Sequence, residues 1–353
     1  MRTPVFIGAV VLGLTAAVPA QAATAWRTVT PPPLKPSNAL LDVSATGPSD
    51  AWAVGYQDDV YGRVSPHPYA LLRWDGRTWS QRQLPENSLT MSSISAASPD
   101  NVWTGGTDNT QSAYAAHWNG SAWQAFRPFG ILGGQIVSDV EARGGNALLA
   151  GGDSHALLAE WNGTDFTEIT VPGTDTWYGG LNAVTRATDG SAFAVGSWNV
   201  DDAGYPEPLV LQRTDGSWKV AALPKIPTAR LLDVWARSAT DAWAVGSTDY
   251  DGVPKPLLMH WDGSTWQRVT TALTTGTLSS VAGDATGTVW VGAYDYPKSL
   301  FLRYRAGKWT TVQGPPSPYL SAIANIPGTS SFWAVGQDSD TAGSIFSVIE
   351  RKD

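Results

Sequence analysis

Seven short stretches of the chain alternate apolar and polar residues, centred on Val43, Ile94, Val140, Val184, Val234, Val281 and Ile323. Alternation with period two marks a strand whose two faces meet different surroundings. The centres lie 51, 46, 44, 50, 47 and 42 residues apart, so a unit of nearly constant size recurs. Each unit continues in a common order. A turn of small and polar residues, such as 45–50 or 236–241, leads into an apolar run, Ala-Trp-Ala-Val-Gly at 51–55 and 242–246. Phe193 to Gly196 repeats the end of that run with phenylalanine in place of tryptophan. A loop of uneven length follows, then a third apolar run (70–74, 257–261) and a fourth led by an aromatic residue (79–84). Runs that are apolar throughout suit strands covered on both faces.

The third and fourth runs are joined by one phrase. Trp74-Asp75-Gly76 is followed by Trp79, and Trp261-Asp262-Gly263 by Trp266. Trp118-Asn119-Gly120 with Trp123 and Trp161-Asn162-Gly163 with Phe166 carry Asn for Asp. Asp215-Gly216 with Trp218 is one residue shorter, and Tyr304, Gly307 and Trp309 form a worn copy. Asp-Gly between apolar runs signals a hairpin, because glycine accepts the positive φ of the turn. Four short strands repeated at this period make one propeller blade. The chain is therefore expected to be all-β: a seven-bladed β-propeller of four-stranded antiparallel blades. Its single domain spans 23–353, with blades starting near 40, 91, 136, 180, 231, 278 and 320. The recurring Trp52, Trp103, Trp243, Trp290 and Trp333, and Trp79, Trp123, Trp218, Trp266 and Trp309, are expected in the core.

The last unit lacks its tryptophan-led fourth strand, and residues 25–31, beginning Ala25-Trp26-Arg27, read like that strand. Pairing of this segment, about 25–31, into the C-terminal blade would close the ring and remove an exposed sheet edge.

Residues 1–22 read as a secretory signal peptide: Arg2, an apolar stretch from Val5 to Val18, and a small-residue cleavage site ending at Ala22. No later stretch approaches the ~18 apolar residues of a spanning helix. A secreted, extracellular monomer is expected. The chain has no cysteine, and at 353 residues its core needs no disulfide staples. A formal charge of −8 argues against a nucleic-acid partner.

With the blade residues in view, the repeat resembles the kelch group of propellers, through the glycine ending the second strand and the aromatic-Asp-Gly-x-x-Trp phrase. Asp262 to Trp266 is also similar to the Asp-box turn of sialidase-like propellers. Repeat length and Trp-Asp-Gly usage are similar to seven-bladed bacterial lectins that bind fucose and related sugars. There are departures. Only Gly105-Gly106 and Gly151-Gly152 supply the double glycine usual in kelch repeats, and the Asp-box serine is missing. Galactose-oxidase-like chemistry, known on kelch-type propellers, needs a cysteine that this chain lacks.

Catalytic motifs are absent: no His-Glu-x-x-His, Gly-x-Ser-x-Gly, phosphate loop or dinucleotide fingerprint occurs. His117 and His260 stand where other units have Arg73, Glu160 and Arg303, which reads as a solvated strand position rather than a metal site. The uneven loops carry the remaining signal, because they open on one face together with the blade connections. Their candidate ligand-binding residues are Tyr56, Tyr61, Trp177, Tyr178, Trp198, Asp201, Asp202, Tyr205, Asp249, Tyr250, Asp251 and Tyr294. Aromatic rings can stack on sugar rings while carboxylates accept bonds from hydroxyls. The reading is a non-catalytic propeller that binds carbohydrate or another cell-surface ligand and needs no cofactor. Calcium at paired acids such as Asp249 and Asp251 is the alternative use of those carboxylates. A polysaccharide hydrolase or lyase using loop carboxylates and a protein-interaction scaffold are the competing functions.

Overall fold

A computed structural model of the chain describes residues 25–58, 68–85, 87–128, 135–152, 155–171, 178–199, 205–226, 228–248, 252–293, 298–316 and 319–353. Every described strand belongs to one of seven four-stranded antiparallel sheets. Six are built from consecutive strands, at 39–81, 88–126, 137–168, 178–220, 229–268 and 278–313, and are called blades 1 to 6. Blade 7 takes three strands from 319–352 and its outer strand from Trp26–Val29, which pairs with Ile345–Lys352. Trp26 lies opposite Lys352 and Val29 opposite Ile349. The ring closes as expected, through the strand Trp26–Val29.

Tryptophan positions explain how blades join. The second-strand aromatic of one blade receives the phrase of the next: Trp52 meets Trp118 and Trp123, Trp103 meets Trp161 and Phe166, and Trp243 meets Tyr304 and Trp309. Across the seam between blades 7 and 1, Trp333 meets Trp74 and Trp79. Trp26 fits the same wheel. Its ring is edge-on to Trp290 at 5.5 Å and 88°, against 5.6 Å and 89° for Trp123 on Trp52. It also stacks on Phe301 at 4.1 Å. Edge-to-face pairs add about 0.5–1.5 kcal/mol beyond the area they bury. Closure therefore repeats an ordinary blade contact rather than inventing a new one.

The Asp-Gly turn does two jobs. Asp75, Asn119, Asn162 and Asp262 each accept, through Oδ1, N–H bonds from the residues two and three ahead. The glycine that follows takes φ between 93° and 101°, a backbone region that glycine enters without steric cost. Asn119 and Asn162 thus serve as stand-ins for Asp. The tryptophan before the turn donates its indole N–H to the hairpin between strands one and two: Trp74 to Pro48 O, Trp118 to Pro99 O and Trp261 to Ala239 O. Both kinds of hairpin lie on one face of the disc, here called the turn face.

His117 and His260 are not freely solvated, contrary to the expectation from their variable position. Each lies half-buried over a second-strand tryptophan, at 4.3 Å on Trp103 and 4.0 Å on Trp243. Their Nε2 atoms meet Asn101 and Asp241. Arg73, Arg303 and Arg351 occupy the same place over Trp52, Trp290 and Trp333. Any flat or cationic group that covers the ring satisfies the position, which explains its free variation.

Candidate functional site

The first strand of every blade is an edge strand facing the central channel. Its outward N–H groups need partners. A β-bulge sits at the same place in all seven, for instance between Leu40 and Asp42 and between Leu231 and Asp233. The residues that follow it are Asp42, Ser93, Asp139, Ala183, Asp233, Ser280 and Ala322. Wherever this residue is polar, it reaches into the next blade. Ile94 N–H donates to Asp42 at 2.7 Å, Val140 N–H to Ser93 at 3.1 Å and Val184 N–H to Asp139 at 2.7 Å. Val281 N–H donates to Asp233 at 2.7 Å and Ile323 N–H to Ser280 at 3.0 Å. The two alanines interrupt this belt, and there Val234 and Val43 turn to the carboxylates of their own neighbours Asp233 and Asp42.

These carboxyls are shifted strongly. Burial, then the nearby Asp139 charge, raises Asp42 well above the ordinary value. Burial lifts Asp139 to about 6 and Asp233 to about 7. Glu141, one turn of pleat away, rises to about 8 through burial and the Asp139 charge. The Ser93 hydroxyl lies 2.9 Å from Asp42 Oδ2 and 2.5 Å from Asp139 Oδ1. One hydroxyl proton cannot satisfy two carboxylates, so a protonated aspartic acid completes the set. The belt lines a cavity of about 740 Å³ that runs to Gly144, Asp284 and Gly328 and opens on the turn face. Perturbed acids in a hollow are a usual sign of chemistry. Here the belt residues hold the blades together.

The opposite face carries the uneven loops. All five exposed large apolar side chains among the described residues lie there: Ile136, Tyr205, Val253, Tyr319 and Phe346. Ile136 and Tyr319 lie where blade connections enter a first strand, Tyr205 and Val253 belong to loops between strands two and three, and Phe346 stands at the start of the third strand of blade 7. Of the candidate residues, Tyr205 is 50% exposed. Trp198, half-buried, packs at the edge of the blade 4 core. Tyr56 donates its hydroxyl to Gln337 of blade 7 at 3.3 Å, tying two blades rather than standing clear. Tyr178 begins the first strand of blade 4. Tyr61, Trp177, Asp201, Asp202, Asp249, Tyr250, Asp251 and Tyr294 lie outside the described residues.

The described loop aspartates are bonded to backbone N–H groups, hydroxyls or nearby cations. Asp58 pairs with Lys35 at 3.2 Å. Asp340 accepts N–H bonds from Ala342 and Ser344. Burial works against the charge of Asp108, but the Thr110 hydroxyl, Arg127 and backbone N–H groups outweigh it and hold its pKa below the usual value. Such aspartates build loops. Among the described residues no three His, Asp or Glu side chains are grouped as a metal site, and no helix is long and apolar enough to cross a membrane.

No protein-family model matches the chain, and no curated protein matches its sequence. Solved structures do resemble it. YCF48 bound to a D1 peptide superposes with a TM-score of 0.61 at 16% identity, covering 95% of this chain and 99% of that one. The WD40 repeats of RRP9 give 0.60 at 14%, covering 93% and 98%. The WD40 β-propeller domain of Doa1 gives 0.61 at 9%, covering 92% and 96%. At such identities the likeness speaks for the seven-bladed ring. The kelch, Asp-box and lectin resemblance rests on the wording of the repeat.

Proposed function

We propose that the protein is a secreted, non-catalytic propeller that binds an extracellular ligand on its loop face, with carbohydrate as the favoured ligand chemistry. One observation carries this reading: the exposed apolar side chains gather on that face, while the turn face is made of self-satisfied hairpins. Exposed aromatic surface on a rigid scaffold is a usual mark of recognition. Tyr205 and Tyr319 are broad and amphipathic enough to stack on sugar rings. A glycan array probed with the purified protein tests it, together with the Tyr205→Ala/Tyr319→Ala double variant. Binding that the double variant loses is expected. Release of reducing ends from the bound glycan would instead favour the hydrolase reading and overturn the non-catalytic one.

A second reading, a protein-interaction scaffold, draws on the YCF48 structure, which holds a peptide. An array without any hit, combined with peptide-library binding that Tyr319→Ala abolishes, would favour it.

A further inference from the structure

A second hollow, of about 360 Å³, lies at the outer rim of blade 4 beside the loop face. Its floor is the third strand where that strand outruns the fourth. Pro206–Arg213 spans eight residues and Trp218–Val220 only three, with pairing confined to 211–213. Beyond the ladder, Ala221 N–H donates to Val210 O. Backbone groups two and four residues earlier point to the same side, because a strand alternates the side on which its residues bond. Those residues are Pro208 and Pro206, which have no N–H. An extended peptide added here would miss its donors, so strand addition is disfavoured. The lining supplies other chemistry: Trp198, Leu223 and Pro224, together with the acidic Glu207 and the basic Lys225. Sequence reading singled out Trp198 but missed Glu207 and Lys225, which stand in ordinary strand and connection segments.

We infer that this hollow is a subsite for one pyranose unit of an extracellular polysaccharide. The C–H face of the sugar lies on the Trp198 indole, a hydroxyl donates to Glu207, and a second hydroxyl accepts from Lys225. The inference rests on the carbohydrate reading of the loop face and gives it a location. The experiment uses the full secreted protein and the methyl pyranosides of glucose, galactose, mannose, fucose and N-acetylglucosamine. Saturation-transfer NMR detects binding and a chemical-shift titration gives its strength. At least one glycoside binds. Glu207→Gln, which leaves the core untouched, and Trp198→Leu, which keeps apolar bulk without the flat ring, each weaken it by about tenfold. Thermal melting verifies that both variants fold. Binding unchanged in both folded variants overturns the subsite, and so does the absence of glycoside binding beside clear hits for longer glycans on the array. In either case the loop-face reading stands. No glycan binding of any kind overturns both.

Discussion

The two faces of the disc are made by the same chain and differ in what they repeat. On the turn face, Asp75, Asn119, Asn162 and Asp262 form one turn four times over, with the same bonds and nearly the same glycine φ. On the loop face the described residues share less: one aspartate turn appears twice, at Asp108 and Asp340. Loop lengths differ, the aspartates bond within their own loops or to nearby cations, and five large apolar side chains stay exposed. Where the copies agree, they solve a problem every blade shares: satisfying a hairpin and seating a tryptophan on its neighbour. Where they diverge, no such constraint acts, and recognition can be built without disturbing the ring.

The sharpest way to break this contrast is to attack what both faces share. Trp26→Ala removes the ring that stacks on Phe301 and meets Trp290, at a residue only 5% exposed. A loss of about 3–5 kcal/mol in urea unfolding is expected, typical of a buried aromatic truncated to alanine. A loss below about 1 kcal/mol would show that closure does not depend on this strand.

The belt behind both faces responds to pH. Asp42, Asp139, Asp233 and Glu141 have folded pKa values above their unfolded ones. The native state therefore keeps protons that the unfolded chain releases near pH 4, so stability falls as pH rises from about 4 towards 8. Below about pH 4 the opposite holds for carboxylates whose pKa is lowered, such as Asp108 and Asp241. Thermal melts should peak near pH 5 and drop by a few degrees, roughly 2–5 °C, by pH 8.5. Asp139→Asn should flatten the decline. A melting temperature that climbs from pH 5 to 8.5 would contradict the buried-acid belt.

Smaller effects belong to the turn face alone. Gly263→Ala places a Cβ 2.8 Å from the Thr240 side chain at φ 93°, and a loss of about 1–2 kcal/mol is expected by denaturant titration. The worn copy in blade 6 works the other way. Ala306 and Gly307 both hold positive φ, 51° and 80°, the geometry of a type I′ turn that prefers Asn-Gly. Ala306→Asn should raise stability by about 0.5–1 kcal/mol.

The ring was legible in the sequence because its parts repeat. Period, phrase and missing last strand pointed to seven blades and to closure by Trp26. The belt was harder to see. Asp, Ser, Asp, Ala, Asp, Ser and Ala precede the seven strand centres, yet alternation alone does not show that a polar side chain crosses to the next blade. Loop-face chemistry was the least legible part. Tyr56 looked free and instead bonds Gln337, whereas Tyr319 and Phe346 sit at strand starts where an apolar residue passes for core. Exposure depends on where neighbouring blades stop, and no local pattern encodes that.

The contrast between faces comes down to one paired measurement. The strongest array glycan is titrated against two triple variants, Tyr205→Ala/Tyr319→Ala/Phe346→Ala on the loop face and Arg77→Ala/Thr240→Ala/Lys308→Ala on the turn face. All six residues are exposed, so both proteins should melt within a few degrees of the parent. The loop-face variant should lose binding by about tenfold or more while the turn-face variant keeps it. Binding lost from the turn-face variant and kept by the loop-face one would place recognition on the wrong side of the disc.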